Sequence, residues 1–157
     1  MDEVTKLVEV ENIKRLKAKY MRCVDTKDWE GLESCFTEDA TSSYGDGAYS
    51  FDGREAIMKF LRDSMASARF ISKHQVHTPE IDIHSESEAE GTWYLEDMVA
   101  QLEQGWTLEG TGIYRDEYVK RDGEWRIRHT GYARIFEKSR SLSEEEVSSF
   151  KTRFDEA

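Results

Sequence analysis

His74, Asp97, Thr111 and Arg134 bring base, acid, hydroxyl and cation types into stretches that otherwise read as long strands. An imidazole within reach of a carboxylate can move protons to and from a substrate near neutral pH. Strand register links the four. A turn centred between Ser85 and Glu86 sets His74 opposite Asp97. One centred on Gln104 sets Asp97 opposite Thr111, and Asp122-Gly123 as a two-residue loop sets Thr111 opposite Arg134. Directly opposed residues share a face, so simple hairpins predict one polar row across four strands. Pro79, Gly110 and Gly112 are the positions where a bulge would break that row. A mid-strand Asp is disfavoured, and Asp97 shares its alternation phase with Trp93, Leu95 and Val99, which favours burial. Tyr114, Tyr118, Trp125 and Ile127 form the more apolar face of the last hairpin, in the phase opposite to Arg134. That leaves a rim salt bridge as the competing reading of Arg134.

Two more polar residues stand on the first helix. Tyr20 lies in its apolar stripe, where a packed aromatic with a satisfied hydroxyl is the plain reading. Asp25 stands five residues on, at the end of the helix, where an acid opposes the helix dipole and so points to another role. Both can border one pocket if the buried sector of the helix is wide or the helix ends at Asp25.

The elements that must position these groups follow from periodicity. Ile13, Leu16, Tyr20 and Val24 recur at helical steps, with Leu7 and Val8 a turn or two earlier. Asp28 caps a short helix carrying Trp29, Leu32 and Phe36. Residues 40–44 and 48–51 flank Gly45-Asp46-Gly47 as a small hairpin, and Gly53-Arg54-Glu55 opens a third helix with Ala56, Ile57, Phe60, Leu61 and Met65. Long strands follow near 70–84, 88–102, 106–121 and 124–137. Ser143-Glu144-Glu145-Glu146 is a capping box, which predicts a terminal amphipathic helix carrying Val147, Phe150 and Phe154. Helices before a sheet predict an α+β domain over 1–137, with a helical tail over 138–157. A curved sheet around three helices leaves a pocket between them. Trp29, Phe51, Phe60, Phe70, Trp93, Leu95 and Val99 supply its expected apolar lining or the core behind it.

The chain's 157 residues hold one domain, and 38% hydrophobic residues suffice for a core. Its net charge of −11 repels phosphate backbones and anionic lipid, which argues against nucleic-acid and membrane-surface partners. No apolar run approaches the roughly 20 residues of a membrane span. Cys23 and Cys35 read as buried thiols in a reducing compartment, and with no signal-peptide pattern the expected location is cytoplasmic. His74 and His77 are three apart on a strand and point to opposite faces, so no metal site is expected from them. No nucleophile-elbow pattern supports a serine triad.

These segments carry a resemblance over about residues 5–137. Ile13-Lys14-Arg15-Leu16, the run from Tyr49 through Gly53-Arg54-Glu55-Ala56-Ile57, and Gly123-Glu124-Trp125-Arg126-Ile127 with Gly131-Tyr132-Ala133-Arg134 resemble the nuclear transport factor 2-like superfamily, and within it the SnoaL-like group. The resemblance implies a cone-shaped, curved mixed or antiparallel sheet wrapped around three N-terminal helices. Tyr20, Asp25, Tyr44, His74 and Asp97 stand in the order of the polar residues of bile acid 7α-dehydratase. Scytalone dehydratase is similar in all but the last, where it has a second strand His. Hexachlorocyclohexane dehydrochlorinase is similar in the helix Asp and strand His, but has a basic residue where Tyr20 stands. The resemblance and the polar residues imply a cofactor-independent dehydratase, and the apolar lining points to small, mostly apolar cyclic hydroxy-ketones as its substrates. His74 would be the base, Asp25 would hold its tautomer, Asp97 would tune it or assist the leaving hydroxyl, and Tyr20 and Tyr44 would donate hydrogen bonds. Arg134, Thr111, Trp93, Val99 and Phe60 are the expected substrate contacts. A ketosteroid-type isomerase and a non-catalytic small-molecule binding module are the alternatives on the same fold. An open curved sheet also predicts a homo-oligomer, and the resemblance implies a trimer.

Overall fold

A computed structural model describes residues 1–155. Helix α1 spans Glu3–Thr26, α2 Trp29–Glu33, α3 Arg54–Met65 and α4 Glu144–Ser149. Strands β1 Phe36–Tyr44, β2 Tyr49–Asp52, β3 Phe70–Ile83, β4 Glu88–Gln101, β5 Trp106–Arg121 and β6 Glu124–Ser141 form a mixed sheet in the order β2-β1-β6-β5-β4-β3. The sheet does not close. The β1–β6 pairing is parallel and the others antiparallel. Ile13, Tyr20, Met21 and Val24 of α1, and Ile57, Leu61 and Met65 of α3, pack with Leu95, Tyr118 and Ile127 of the sheet in one core. Among the described residues no helix is long and apolar enough to cross a membrane.

Local chemistry sets the element ends. The Asp2 carboxylate accepts the Thr5 amide at the start of α1. Lys27 ends the helix in the left-handed conformation, its amide bonded to the carbonyls of Cys23 and Val24. Asp122 and Gly123 both have positive φ, as a tight type I′ hairpin requires, so Arg121 meets Glu124 directly.

The tail differs from expectation. β6 runs to Ser141, so residues 138–141 belong to the sheet. The Ser143–Glu146 capping box forms in full, but α4 stops after Ser149. The Ser148 and Ser149 hydroxyls bond back to the carbonyls of Glu145 and Glu146, and Phe150 turns to an extended conformation. Phe150 and Phe154 therefore lie beyond the helix, and the Phe154 ring rests under the Lys27 ammonium. Residues 156–157 of the expected tail lie outside the described residues.

Candidate active site

Asp25 is the joint between α1 and β3. Its Oδ1 accepts the Ser72 hydroxyl (2.8 Å) and lies 2.7 Å from His74 Nδ1, while Oδ2 accepts the His74 amide (2.8 Å). An ionised carboxylate only accepts, so it requires the proton on His74 Nδ1. Nε2 is then the free nitrogen of a side chain that lines a cavity of about 750 Å³. The unfavourable position of Asp25 against the helix dipole is offset by three donors from β3. Lys27 closes the same corner, its ammonium donating to the carbonyls of Met65 and Phe70 at 2.7 Å each.

Tyr20 and Tyr44 line the same cavity, their hydroxyls 3.1 Å apart and both rings buried. Burial raises the pKa of both phenols, so they remain protonated hydrogen-bond donors. Tyr44 and Phe60 stack, and Phe60 stacks in turn on Tyr49 and Phe51, giving the cavity an aromatic wall. Val24, Phe70, Val99, Leu108, Tyr114 and Tyr132 also line it.

His74 does face Asp97, by two offsetting departures from the simple register. The β3–β4 turn is centred half a residue later than predicted, on Glu86, and a bulge at Thr78–Pro79 restores the pairing. Asp97 is buried, as its phase with Trp93 and Leu95 implies. Four residues, 102–105, separate β4 from β5, so Asp97 faces Gly110 and Thr111 faces Glu96. Thr111 therefore leaves the row. Its hydroxyl donates to the Leu95 carbonyl, and it does not line the cavity.

Arg134 reaches the cavity through bulges. The β5–β6 register shifts between Glu117 and Tyr118, so Ile127 and Tyr132 occupy the same face although their numbers differ in parity. This phase change carries Arg134 onto the apolar face. There its Nη1 and Nη2 donate to the two carboxylate oxygens of Asp97 at 2.5 and 2.9 Å. Its Nε lies 3.2 Å from Glu137 Oε2. The Asp97 bonds outweigh the cost of burial and raise the Arg134 pKa above its ordinary value. Arg134 is thus both a cavity residue and an ion-pair partner.

Trp93, like Thr111, is not among the residues that line the cavity. It shares a face with Asp97 but lies four residues away along β4, roughly 13 Å at the usual strand rise. Its indole N–H donates to the Tyr118 hydroxyl, which donates to Asp116. Asp116 also accepts the Thr130 hydroxyl and stands 2.7 Å from the Lys17 ammonium, and Lys17 and Asp116 are both fully buried. Burial lowers the Lys17 pKa by more than Asp116 raises it, and the angle of the ammonium to Asp116 falls short of a regular hydrogen bond. The ammonium instead lies 3.5 Å from the centre of the Tyr114 ring. Sequence reasoning missed this pair. The available signal was a lysine on the Ile13–Lys17–Tyr20–Val24 stripe, and an aspartate in phase with Tyr114 and Tyr118.

Phe60 and Val99 line the cavity as expected, as does Phe70, while Trp29, Phe51 and Leu95 join or pack against the core. Asp46, Tyr49, Tyr132 and Glu137 are lining residues that patterning did not single out. Cys23 and Cys35 are buried, and burial pushes the Cys35 thiol up to about 12, which makes it a poor nucleophile. Among the described residues no three His, Cys, Asp or Glu side chains cluster as metal ligands.

The model of a SnoaL-like domain matches residues 5–131. A Novosphingobium aromaticivorans protein provisionally assigned as a scytalone dehydratase is 25% identical, with 90% of this chain and 94% of that one aligned at a TM-score of 0.82. A hexachlorocyclohexane dehydrochlorinase, LinA type 2, is 17% identical, with 89% and 94% covered and a TM-score of 0.78, a likeness of fold. A Mycobacterium tuberculosis protein of unknown function is 25% identical, with 85% and 76% covered and a TM-score of 0.70.

Proposed function

The chain belongs to the SnoaL-like domain family of the nuclear transport factor 2-like superfamily, and from that premise we propose a cofactor-independent lyase that removes water from a small, largely apolar cyclic hydroxy-ketone. The observation that carries this reading is the Asp25–His74 pair at a cavity also lined by the hydrogen-bonded Tyr20–Tyr44 phenols. His74 Nε2 takes a proton from the carbon beside the carbonyl. The Tyr20–Tyr44 pair donates to the carbonyl oxygen as negative charge develops there. The carbon–carbon double bond forms as the carbon–oxygen bond breaks, and the hydroxyl leaves as water with the proton returned from His74. Asp25 holds the Nδ1–H tautomer throughout, and Asp97 holds Arg134 along the cavity wall. Tyr20 stands where the dehydrochlorinase pattern has a basic residue, which favours water over chloride as the leaving group.

The test is a panel of cyclic β-hydroxy-ketones followed by product mass. Loss of one water supports the reading, and an isomer of unchanged mass reassigns the site to proton shuttling. His74→Ala and Asp25→Asn should each lose about 10²–10⁴-fold in kcat/KM while remaining folded, with Asp25→Asn unfolding at a lower temperature because it weakens the bonds that join α1 to β3. Full activity in either variant would remove His74 as the base.

A further inference from the structure

The charges around the cavity are unevenly matched. Asp46, Asp97 and Glu137 line it, and Arg134 is its one Lys or Arg among the described residues. Behind His74 the Asp25 carboxylate is offset by the Lys27 ammonium at the same corner. The surplus is negative whether or not His74 carries a second proton. The end of the guanidinium is engaged, with one N–H of each terminal nitrogen on Asp97 and Nε 3.2 Å from Glu137 Oε2. The fork that recognises a carboxylate elsewhere is therefore occupied from within. Gly110 makes this possible. A Cβ at that position would come 2.6 Å from Arg134 Nη1 and 3.1 Å from Cζ, so only a glycine lets the guanidinium lie on β5 beside Asp97.

We propose that the cavity selects uncharged ligands and rejects carboxylates, with Asp97 and Gly110 as the residues that set this specificity by occupying and seating Arg134. The inference rests on the proposed reading of this cavity as the substrate site, and narrows the substrate to a neutral ketone. A carboxylate would meet surplus negative charge, and the one Lys or Arg of the lining among the described residues is already paired with Asp97. Like-charge contact in such a site costs a factor of roughly ten or more in affinity.

The experiment is calorimetric binding of two near-isosteric probes, methyl 2-naphthyl ketone and 2-naphthoate, at pH 8. The wild type should bind the ketone at least roughly tenfold more tightly than the carboxylate. Asp97→Asn frees one edge of the guanidinium and removes a negative charge, and should reduce or invert that ratio by a further factor of about ten. Arg134→Gln in the Asp97→Asn background should abolish the gain. Gly110→Ala displaces the guanidinium without changing any charge, and should move the ratio the same way. It gives the reading independently if the Asn variant fails to fold. Equal binding of both probes by the wild type, an unchanged ratio in every folded variant, or binding of neither probe by any of them would overturn the proposal. Turnover does not enter the readout. A protein that discriminates but dehydrates nothing fails the lyase reading alone, and one that dehydrates a ketone yet binds naphthoate equally fails this proposal alone.

Discussion

At the residue scale, the Tyr20–Tyr44 pair shows how burial turns an ordinary phenol into a directed donor. Each hydroxyl is held by the other at 3.1 Å, and desolvation keeps both protons in place. A single Phe substitution leaves one donor, and the remaining hydroxyl then turns toward substrate without its partner. Tyr44→Phe should lower kcat by about 10²–10³-fold with little change in KM, as expected for a bond that strengthens in the transition state. The double Phe variant should cost less than the product of the two singles, because the hydroxyls act as a unit. Steady-state kinetics of the two single variants and the double variant on the substrate found above decides this. A loss confined to KM would make the pair a ground-state contact.

At the element scale, α1 is fixed to the sheet by polar contacts at three heights. Glu9 accepts Lys120 Nζ (2.6 Å) and Trp125 Nε1 (2.5 Å) near the start, Lys17 meets Asp116 midway, and Asp25 clamps β3 at the end. The Lys120 and Trp125 bonds hold the Glu9 carboxyl below its usual pKa. An acid depressed in the folded state contributes stability that is fully present above its unfolded pKa of about 4.3, and loses it as pH falls through the folded value. Glu9→Gln should therefore destabilise at pH 7, with the gap to wild type closing below about pH 4 in urea unfolding. An unchanged gap would assign the Glu9 effect to packing. Lys17→Met leaves Asp116 buried without its cation and should cost about 3–5 kcal/mol, much of it recovered by adding Asp116→Asn. Denaturant unfolding of the single and double variants measures both. Additive losses would show that the two residues do not act as a pair.

At the scale of the whole molecule, the sheet has two free edges and an outer face that the helices do not cover. Tyr94, Ile113 and Ala133 oppose one another across three strands, in the phase opposite to Trp93 and Tyr114. Tyr94 and Ile135 are large apolar side chains left 44% and 55% exposed. We propose that a homo-oligomer covers this surface, as expected for an open curved sheet, and that it is the trimer the dehydratase resemblance implies. Sedimentation equilibrium at micromolar concentration should give three times the chain mass, and Tyr94→Glu should shift it toward monomer. A wild-type monomer, or a Tyr94→Glu trimer, would place the interface elsewhere or remove it.

The strands near 70–84, 88–102, 106–121 and 124–137 were legible because period-two burial and Asp122-Gly123 are properties of a few adjacent residues. The burial of Asp97 was legible for the same reason, through its phase with Trp93 and Leu95. The placing of Arg134 and Thr111 was not. One bulge or one added turn residue changes the face of every residue beyond it, and nothing in the chain near Glu117–Tyr118 announces the shift. The pairing of Lys17 with Asp116 also spans 99 positions and depends on how α1 lies on the sheet. Sequence by itself determined the elements, the α+β order and the candidate polar groups, since these are set by local propensity and periodicity. Tertiary structure alone decided which of those groups meet around the cavity, because register and helix placement are fixed by packing over the whole core.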